Sequence, residues 1–317
     1  MDTQPLVSII TVNYNQLGLT CELLDSIRRN SYKNVEIFVV DNASRENPKF
    51  HLMQYYPEVK VIISEQNLGF AGGNNLAVRV AKGDFLFFIN NDAELTDGCL
   101  EKLLTLFGNR PKLGIASPLL CYNNEKRGIE PDLIQYAGTT EVNSVTARNR
   151  TIGEKELDNG QYKIAKPSAY AHGAAMMVPK LVAGDVGWMA DDFFLYYEEL
   201  DWCARIRQAG YECWVEPNAK VYHKESVTVG PSSPLKTYYL NRNRIYFMRR
   251  NTGHISLVLF ALFLVFFTIP KNLFRYALRG EWKHAKVFIQ AVWWNISDAF
   301  SSTHPQDAVL VPSVVRN

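Results

Sequence analysis

Four short, mostly apolar runs within the first ninety positions constrain the fold of this 317-residue chain more than any other feature. Segments with helical spacing lie between these runs. Runs of this length that are mostly apolar, without strict alternation of apolar and polar residues, and that alternate with helices, indicate a parallel sheet covered by helices on both faces. The sequence therefore predicts an α/β fold with strands at residues 6–12, 35–40, 59–63 and 85–89.

Polar residues follow three of these predicted strands at the point where each strand ends. Asn13 follows the first strand, Asp41 the second, and Asn90, Asn91 and Asp92 the fourth. Because ligands of open parallel sheets bind at the carboxyl ends of the strands, these residues are expected at one binding site. A carboxylate there can hold Mg²⁺ or Mn²⁺ together with substrate phosphates. An ordinary turn or a capping role is the alternative for each of these acids.

A glycine-rich stretch, NLGFAGGNN at 67–75, lies between the third and fourth predicted strands. Its glycines predict a loop that allows close backbone approach to a ligand, and a helix that begins at about Asn75. The N-terminus of such a helix favours anions. The stretch matches neither the Walker pattern nor GxGxxG, which argues against a kinase and against a dinucleotide-dependent dehydrogenase.

Three carboxylates within four positions form the densest acidic cluster, in YYEELDW at 196–202. On the helix predicted for 198–208, Glu198 and Asp201 share a face and Glu199 points elsewhere. One carboxylate can therefore act as a general base while another braces the helix. A solvated acidic helix start, favourable to the helix dipole, is the alternative.

Histidine and cysteine give weaker signals for a metal site. His223 closes a further predicted strand and is either a metal ligand or a structural histidine. An odd number of cysteines without CxxC spacing predicts reduced thiols and not a disulfide framework or a zinc site. No basic-then-apolar signal sequence precedes the first strand, so the catalytic part is expected in the cytoplasm. The cysteines are Cys21, Cys99, Cys121, Cys203 and Cys213.

The C-terminal part of the chain differs from the rest in charge and hydropathy. Residues 224–317 carry 12 Lys and Arg against 4 Asp and Glu, whereas residues 1–223 carry 22 against 28. Residues 255–269 form an uncharged apolar run that is stopped by Pro270 and Lys271. As a helix this run would be about 22 Å long, shorter than the about 30 Å of a hydrocarbon core.

Residues 281–300 have the pattern of an amphipathic helix. Tryptophan on the apolar face with lysines elsewhere is typical of the lipid headgroup zone. The alternative is a buried helix or a dimer interface. Because lipid explains both the basic charge and the apolar run, we predict membrane association and no nucleic-acid partner. The residues that share the apolar face are Trp282, Ala285, Ile289, Val292, Trp293, Ile296 and Phe300.

Seven stretches together resemble the family 2 glycosyltransferases of the GT-A fold, and most of all the bacterial rhamnosyltransferase-like branch that builds cell-surface polysaccharides. They occur in the family's order and cover about residues 5–225. They are VSIITVNYN, VVDNAS, NLGFAGGNN, FLFFINNDAEL, HGAAMMVPK, FFLYYEELDWCARIRQAGY and AKVYH.

The resemblance implies an α/β GT-A (nucleotide-diphospho-sugar transferase) fold, with a Rossmann-like, mostly parallel sheet and helices on both faces. We expect a catalytic domain at 1–225, with a nucleotide-binding half at about 1–118 and an acceptor half at about 119–225. A helical region at 226–317 would associate with the cytoplasmic face of the cell membrane, as a peripheral or monotopic protein. A homo-oligomer is also expected to be possible.

The resemblance further implies inverting transfer of a sugar from a nucleotide-diphospho-sugar donor to a hydroxyl of a lipid-linked or polysaccharide acceptor. The donor expected first is dTDP-L-rhamnose, followed by a UDP-hexose. Mg²⁺ or Mn²⁺ is the implied cofactor. The donor nucleotide would contact Thr11, Asn13, Asp41, Asn67, Gly73, Asn74 and Asn91, and the acceptor would contact Gly173, Ala174 and Trp202.

The catalytic and metal-binding residues depart from the family pattern at two points. Asp92 matches the last acid of the family's DxD metal motif, and His223 matches a histidine that completes the metal site in some relatives. Asn90 stands where the first acid of DxD is usual. Glu199 stands where the family has an aspartate base, and Asp201 matches another common family acid and is a rival base.

Two other functions remain open from the sequence. Asn90 keeps open a membrane-anchored nucleotide-sugar-binding protein whose catalytic site has decayed. A nucleotidyltransferase would also use a strand-end acid and a metal. It would in addition need basic groups around a triphosphate, and neither a GxGxxRxxP-type loop nor a suitable lysine is evident near the N-terminus.

Overall fold

The computed structural model describes residues 4–123, 132–224 and 233–300. Packing divides the chain into two compact units. The N-terminal unit comprises Met1–Glu141, Arg150–Asp191 and Glu198–Thr228. The C-terminal unit comprises Val142–Asn149, Asp192–Tyr197 and Val229–Asn317. The C-terminal unit therefore includes a six-residue segment, Asp192–Tyr197, that directly precedes the acidic cluster in the sequence. The predicted functional division at residue 225 stays a prediction.

The N-terminal unit is built on one sheet, in which ten strands are described. The strands are β1 (Val7–Asn13), β2 (Val35–Asn42), β3 (Val59–Ser64), β4 (Phe85–Ile89), β5 (Ala93–Leu95), β6 (Leu113–Tyr122), β7 (Ile134–Tyr136), β8 (Lys166–Pro167), β9 (Ala175–Pro179) and β10 (Glu212–His223).

The first four strands run parallel to one another. β1 pairs with β2 and β4, and β2 pairs with β3. β9 is antiparallel to both β4 and β6, while β10 is parallel to β6 and antiparallel to β5. The spatial order is β3-β2-β1-β4-β9-β6-β10-β5. The predicted α/β fold is confirmed, but the sheet is mixed: among the described strands, four pairings are parallel and five are antiparallel. The four strands found from the apolar runs lie where the sequence placed them.

Helices cover the sheet of the N-terminal unit. α1 buries Leu23, Leu24 and Ile27 in a core that they share with Val7 and Ile9 of β1. This is the face that the helical spacing of the sequence predicts. The helices described in this unit are α1 (Leu17–Arg29), α2 (Lys49–Tyr55), α3 (Gly69–Val78), α4 (Cys99–Gly108), α5 (Lys180–Val186) and α6 (Glu198–Gln208).

The glycine-rich stretch forms α3 itself, so the prediction of a loop followed by a helix from about Asn75 is wrong. A Cβ on Gly72 would lie 2.8 Å from the Cβ of Leu68, and a Cβ on Gly73 would lie 3.1 Å from the side chain of Val12. Close packing therefore explains both glycines: Gly73 faces Val12 of β1, and Gly72 faces Leu68, directly before the helix, and Asp191. Their spacing looks like that of a ligand loop because both uses require a residue without a side chain.

The described part of the C-terminal unit is mainly helical. Ser233 caps the first helix by accepting a hydrogen bond from the backbone N–H of Lys236, and Pro234 occupies the first turn, where it has no donor to lose. The helices are α7 (Pro234–Asn251), α8 (His254–Phe263), α9 (Ile269–Leu278) and α10 (Trp282–Phe300), and a π-helical turn at Leu264–Thr268 joins α8 to α9.

The helical stretch that contains the apolar run continues beyond Pro270 and Lys271, although the uncharged run itself ends there. Pro270 lies in the first turn of α9, and the helical stretch continues from His254 to Leu278. A proline in a helix lacks an N–H and clashes with the carbonyl one turn earlier, and the wider π-helical turn before it accommodates both effects. Among the described residues, this 25-residue stretch is long and apolar enough to cross a membrane, by length and composition.

Candidate active site

Asn13 and Asp41 lie side by side at the ends of β1 and β2, where they are register partners. Asn13 Nδ2 donates to Asp41 Oδ1 at 2.8 Å, and Asn13 Oδ1 accepts from Thr20 Oγ1 at 2.9 Å. Asp41 Oδ2 also accepts from the backbone N–H of Ser44 at 3.2 Å. These bonds hold the Asp41 carboxylate in one orientation at the strand end.

Thr20 of α1 connects this pair to the end of β4. Its hydroxyl lies 3.2 Å from Nδ2 of Asn91, which donates to it. The structure therefore joins the predicted donor residues Asn13, Asp41 and Asn91 into one network. Thr11 lies two residues before Asn13 on β1, is fully buried, and its hydroxyl has no hydrogen-bond partner among the described residues.

Asn42 organises the start of α3 together with Asn67. Asn42 Nδ2 donates to Asn67 Oδ1 at 3.0 Å and to the carbonyl of Gly69 at 2.9 Å. Asn42 Oδ1 accepts from the backbone N–H of Leu68 at 2.9 Å. Asn67 is thus fixed at the start of the helix. The predicted donor residues Gly73 and Asn74 lie within α3 and are buried.

Asp92 and His223 form the centre of the candidate metal site. Asp92 Oδ1 lies 3.1 Å from His223 Nε2, and Asn90 Nδ2 lies 3.2 Å from the same nitrogen. On the other side of the ring, His223 Nδ1 lies 2.9 Å from Gln135 Oε1. Because an amide oxygen accepts but cannot donate, Gln135 places a proton on Nδ1 and turns Nε2 toward Asp92 and Asn90.

This donor set fits a divalent cation that is shared with substrate. Nε2 and a carboxylate oxygen 3.1 Å apart need a proton or a cation between them, since both atoms otherwise present lone pairs to each other. Among the described residues, no group of three or more His, Cys, Asp and Glu side chains is arranged to hold a metal. One carboxylate and one imidazole leave coordination positions for waters and phosphate oxygens, which is how Mg²⁺ and Mn²⁺ are commonly bound. Glu94 is instead engaged by Arg29 and Asn123.

The electrostatic surroundings keep Asp92 ionised. Burial raises the pKa of its carboxyl, but the hydrogen bond and charge of His223 and the charge of Lys224 lower the pKa by more. The net result is a pKa below the usual value for an aspartate. His172 lies nearby, with its ring centroid 6.3 Å from that of His223. Burial, followed by the charge of His223, lowers the pKa of His172 to about 3, so this ring is neutral.

Glu199 lies against the segment predicted to line the acceptor pocket. A Cβ on Gly173 would be 3.7 Å from the carboxyl carbon of Glu199 and 3.9 Å from its Oε1. The next residue, Ala174, accepts a hydrogen bond from the backbone N–H of Asn90 at 2.9 Å. The segment 173–174 therefore touches the candidate base on one side and the strand end that carries Asp92 on the other.

Asp201 and Trp202 have other surroundings. The Asp201 side chain is 0 % exposed, and its Oδ2 lies 2.9 Å from Arg205 Nε. Trp202 is also fully buried, donates from Nε1 to the carbonyl of Gly187 at 2.7 Å, and packs edge-on against Phe88. The structure thus places Asp201 in a buried ion pair and Trp202 in the core, whereas Glu199 is half-buried beside Gly173.

Sequence reasoning missed four residues of the site: Thr20, Asn42, Gln135 and His172. Asn42 and His172 lie in the stretches VVDNAS and HGAAMMVPK, next to the predicted site residues Asp41 and Gly173. Thr20 is one polar position on an amphipathic helix, and Gln135 lies in a polar region without periodicity. Nothing in the sequence distinguishes these two residues, because their contacts join positions 71 and 88 residues apart.

A protein-family comparison decides what kind of chain carries this site. The model described as Glycosyl transferase family 2 matches residues 8–178, just over half of the 317 residues. The chain belongs to glycosyl transferase family 2. The matched region contains Asn13, Asp41, Asp92 and Gly173, so the family prediction made from the seven stretches is confirmed.

Relatives of this family member include two named rhamnosyltransferases. The dTDP-rhamnosyl transferase RfbF of Shigella flexneri is 24% identical over 302 residues, which are 92% of this chain and 95% of that protein. The N-acetylglucosaminyl-diphospho-decaprenol L-rhamnosyltransferase of Mycobacterium tuberculosis is 21% identical over 270 residues, 78% of this chain and 86% of that protein. The uncharacterized protein y4gI of Sinorhizobium fredii is 26% identical over 265 residues. The aligned residues are 80% of this chain but only 28% of that protein, so this chain spans less than a third of the length of y4gI.

Solved structures confirm the GT-A fold of this family member. GalNAc-T7 with UDP, GalNAc and Mn²⁺ has a TM-score of 0.59 and 17% identity, and covers 75% of this chain and 48% of its own. The mannosyltransferase PcManGT from Pyrobaculum calidifontis, in complex with GDP-Man and Mn²⁺, has a TM-score of 0.58 and 16% identity, and covers 94% of this chain and 88% of its own.

Proposed function

We propose that this chain is an inverting glycosyltransferase that moves a sugar from a nucleotide-diphospho-sugar to a hydroxyl of a lipid-linked or glycan acceptor. The observation that carries the proposal is the position of the Glu199 carboxyl against Gly173, one residue from the carbonyl that binds the Asn90 N–H. The proposed base, Glu199, therefore lies on one side of the segment 173–174, and the proposed metal site for the leaving group lies on the other.

Glu199 is the proposed base because its carboxyl is half-buried and lies beside Gly173, which has no side chain to block an acceptor. It takes the proton from the acceptor hydroxyl as that oxygen attacks the anomeric carbon. The bond between the anomeric carbon and the diphosphate oxygen breaks on the opposite face, so the anomeric configuration inverts.

Asp201 has a structural role in this proposal and stabilises the fold around α6. Its carboxylate pairs with Arg205, which also donates to the carbonyls of Val186 and Trp188 at 2.9 and 2.6 Å. Protonating Asp201 during catalysis would remove the partner of a largely buried guanidinium, which is costly. Trp202 likewise supports α6 through the core and is not proposed as an acceptor contact.

Asp92 and His223 would hold Mn²⁺ or Mg²⁺, with Asn90 as a further oxygen ligand after its amide turns over. When bound, the cation would supply positive charge that stabilises the departing nucleotide diphosphate. Two structural neighbours contain Mn²⁺, which supports this assignment. The Asn13, Asp41 and Asn91 network, with Thr11, is the proposed contact surface for the nucleoside.

The proposed donor is dTDP-L-rhamnose, with UDP-hexoses second. Support comes from the names of RfbF and of the decaprenol-linked rhamnosyltransferase, both of which align with more than three quarters of this chain. The second name also supports a polyprenyl-diphosphate-linked acceptor. The C-terminal unit supports a place at the cytoplasmic face of a membrane, since the stretch His254–Leu278 is apolar and Trp282 and Trp293 are 68% and 65% exposed.

A donor screen tests the proposed function. The purified full chain, with Mn²⁺ or Mg²⁺ and a polyprenyl-diphosphate sugar acceptor, is given dTDP-rhamnose, UDP-glucose, UDP-galactose, UDP-N-acetylglucosamine or GDP-mannose in separate reactions. We expect metal-dependent release of dTDP and a product of inverted anomeric configuration by NMR. Release of a nucleoside monophosphate with pyrophosphate would indicate a nucleotidyltransferase. Nucleotide binding without any turnover would indicate a decayed site.

A further inference from the structure

The segment Asp192–Tyr197 contains an unusual backbone. Phe194, Tyr196 and Tyr197 have positive φ angles of 62°, 69° and 76°. In this left-handed region the Cβ of an L-residue crowds the following carbonyl, so bulky aromatic residues rarely adopt it. Three such residues within four positions persist only where surrounding contacts hold the backbone in place.

Asn243 of α7 supplies those contacts. Its side chain is fully buried, and Nδ2 lies 2.9, 2.8 and 2.7 Å from the carbonyl oxygens of Phe193, Leu195 and Tyr196. One amide group thus serves three carbonyls, and with two hydrogens it must share at least one of them. An arrangement this crowded fixes the path of the segment and cannot be made by a residue without an NH₂ group.

Arg242 orients Asn243 and extends the same contact. Arg242 Nε donates to Asn243 Oδ1 at 2.7 Å, and this bond decides which end of the amide faces the segment. Arg242 Nη2 donates to the carbonyl of Phe193 at 3.0 Å and also to that of Asp192. Arg242 and Asn243, two neighbouring side chains of α7, therefore bind four backbone carbonyls of the segment. These are the carbonyls of Asp192, Phe193, Leu195 and Tyr196.

Ring contacts from α7 support the same segment. Phe194 stacks on Tyr239 with centroids 4.9 Å apart, and Phe193 packs on Tyr246 at 5.1 Å. These contacts explain how the aromatic side chains are accommodated. The hydrogen bonds of Asn243 explain why the backbone turns as it does, since ring packing alone leaves the carbonyl directions open.

The chain runs directly from this segment into α6. Tyr197 precedes Glu198, the first residue of α6, and the carbonyl of Tyr196 lies three residues before Glu199. We infer that Asn243 is a positioning residue, which fixes the backbone at 193–196 and so sets the start of α6 and the placement of the Glu199 carboxylate. This inference rests on the proposed role of Glu199 as the base, and it gives α7 a task in catalysis besides any membrane association.

The test compares Asn243→Asp with the wild-type full chain. The aspartate has the same shape, but its ionised carboxylate cannot donate to three carbonyls. Displacing a catalytic group by about 1 Å can cost about a hundredfold in rate, so we expect kcat to fall about ten- to hundredfold. The dissociation constant for the nucleotide donor, measured by calorimetry, is expected to stay at the wild-type value.

Two matched controls separate positioning from loss of stability. Asn295→Asp changes another buried amide of the C-terminal unit, whose Nδ2 donates to the carbonyls of Arg242 and Ala291 at 2.9 and 3.0 Å. Asn241→Asp changes an amide of α7 that donates to Thr237 within its own helix. Both are expected to keep wild-type kcat at temperatures below their Tm. A loss of kcat in Asn295→Asp as large as in Asn243→Asp would overturn the inference.

A second variant covers the case in which Asn243→Asp does not fold. Asn243→Ser keeps one donor and a small volume, and is expected to lose part of kcat with donor affinity unchanged. Wild-type kcat in any folded Asn243 variant would contradict the inference. Glu199→Gln is assayed alongside: if the wild type transfers no sugar, or Glu199→Gln transfers it normally, the proposed function fails, whereas normal Asn243 variants beside an inactive Glu199→Gln refute the positioning role alone.

Discussion

The Nε2 atom of His223 lies 3.1 Å from Oδ1 of Asp92, although the two residues are 131 positions apart in the sequence. β10 ends at His223 and is antiparallel to β5, which begins one residue after Asp92. The sheet therefore assembles the candidate metal site, and the side chain of Gln135 on β7 determines which nitrogen of His223 faces it.

Replacing Gln135 by Leu tests this tautomer argument. The substitution removes the acceptor of Nδ1–H and leaves the ring free to turn, so we expect the apparent affinity for Mn²⁺ to weaken about ten- to hundredfold. The measurement is the metal dependence of sugar transfer together with direct Mn²⁺ titration. Affinity for the nucleotide in EDTA should match the wild type, and unchanged Mn²⁺ affinity would refute the proposed role of Gln135.

Adding a methyl group is expected to change the free energy of unfolding in opposite directions at Gly73, where α3 packs on β1, and at Gly18, which lies in α1. Gly73→Ala brings a Cβ to 3.1 Å from Val12, and we expect it to lower the free energy of unfolding by about 1–3 kcal/mol. Gly18→Ala is the matched control, because a Cβ there meets nothing within 4 Å and Gly18 lies in α1. It should raise stability by about 0.5–1 kcal/mol. Urea unfolding measures both, and equal effects would contradict the close approach.

Glu36 predicts a pH-dependent contribution to stability. Burial raises the pKa of its carboxyl, but bonds from Lys60, Ser8 and the Lys82 N–H lower it by more, so the net pKa is below the usual glutamate value. A carboxyl whose pKa is lowered on folding stabilises the folded state above its unfolded pKa of about 4.3, and loses this effect as pH falls through the folded value.

Glu36→Gln is therefore expected to cost about 1–3 kcal/mol near neutral pH and progressively less below about pH 4. Chemical unfolding at several pH values compares the variant with the wild type. A stability difference that stays constant down to pH 2, or one that grows on acidification, would be inconsistent with the lowered pKa.

The exposed tryptophans of α10 predict lipid binding by the C-terminal unit. Trp282→Ser with Trp293→Ser removes two large exposed side chains, and we expect binding to anionic vesicles to weaken at least about tenfold. Trp188→Ser, at a half-exposed tryptophan of the N-terminal unit, is the control and should bind as the wild type does. Vesicle sedimentation measures the effect, and equal binding by the double variant would show that these side chains do not contact lipid.

The parts of the fold set by local hydrophobic pattern could be predicted from the sequence. The first four strands appear as apolar runs because both faces of a parallel sheet are buried. Asn13 and Asp41 could be assigned to one site because the ends of adjacent parallel strands meet. The helical pattern of residues 198–208 likewise predicts α6 with the bounds that the structure has.

Long-range contacts explain what the sequence could not show. Gly73 allows α3 to pack on Val12 of β1, and this use of a glycine cannot be distinguished from close approach of a ligand without knowing which residue lies opposite. Pro270 normally ends a helix, but a π-helical turn accommodates it. Asn243 has the ordinary sequence context of a polar helix residue, although its side chain binds a segment about fifty positions earlier.

Glu199 and Asp201 remain the two rival bases of the sequence, and the structure separates them by their surroundings. Asp201→Asn breaks a buried ion pair with Arg205 and should lower stability by about 3 kcal/mol. Because Asp201 does not lie beside Gly173 in the way Glu199 does, kcat per folded molecule should remain close to the wild-type value. Thermal unfolding and transfer assays below Tm give the two numbers.

The most direct measurement is single-turnover sugar transfer by Glu199→Gln, with donor affinity determined on the same preparation and exposed Glu65→Gln as the control. Loss of a general base predicts a rate lower by at least about a hundredfold, with donor affinity unchanged and the control fully active. A transfer rate near that of the wild type in Glu199→Gln, or a comparable loss in folded Asp201→Asn, would contradict the assignment of Glu199 as the catalytic base.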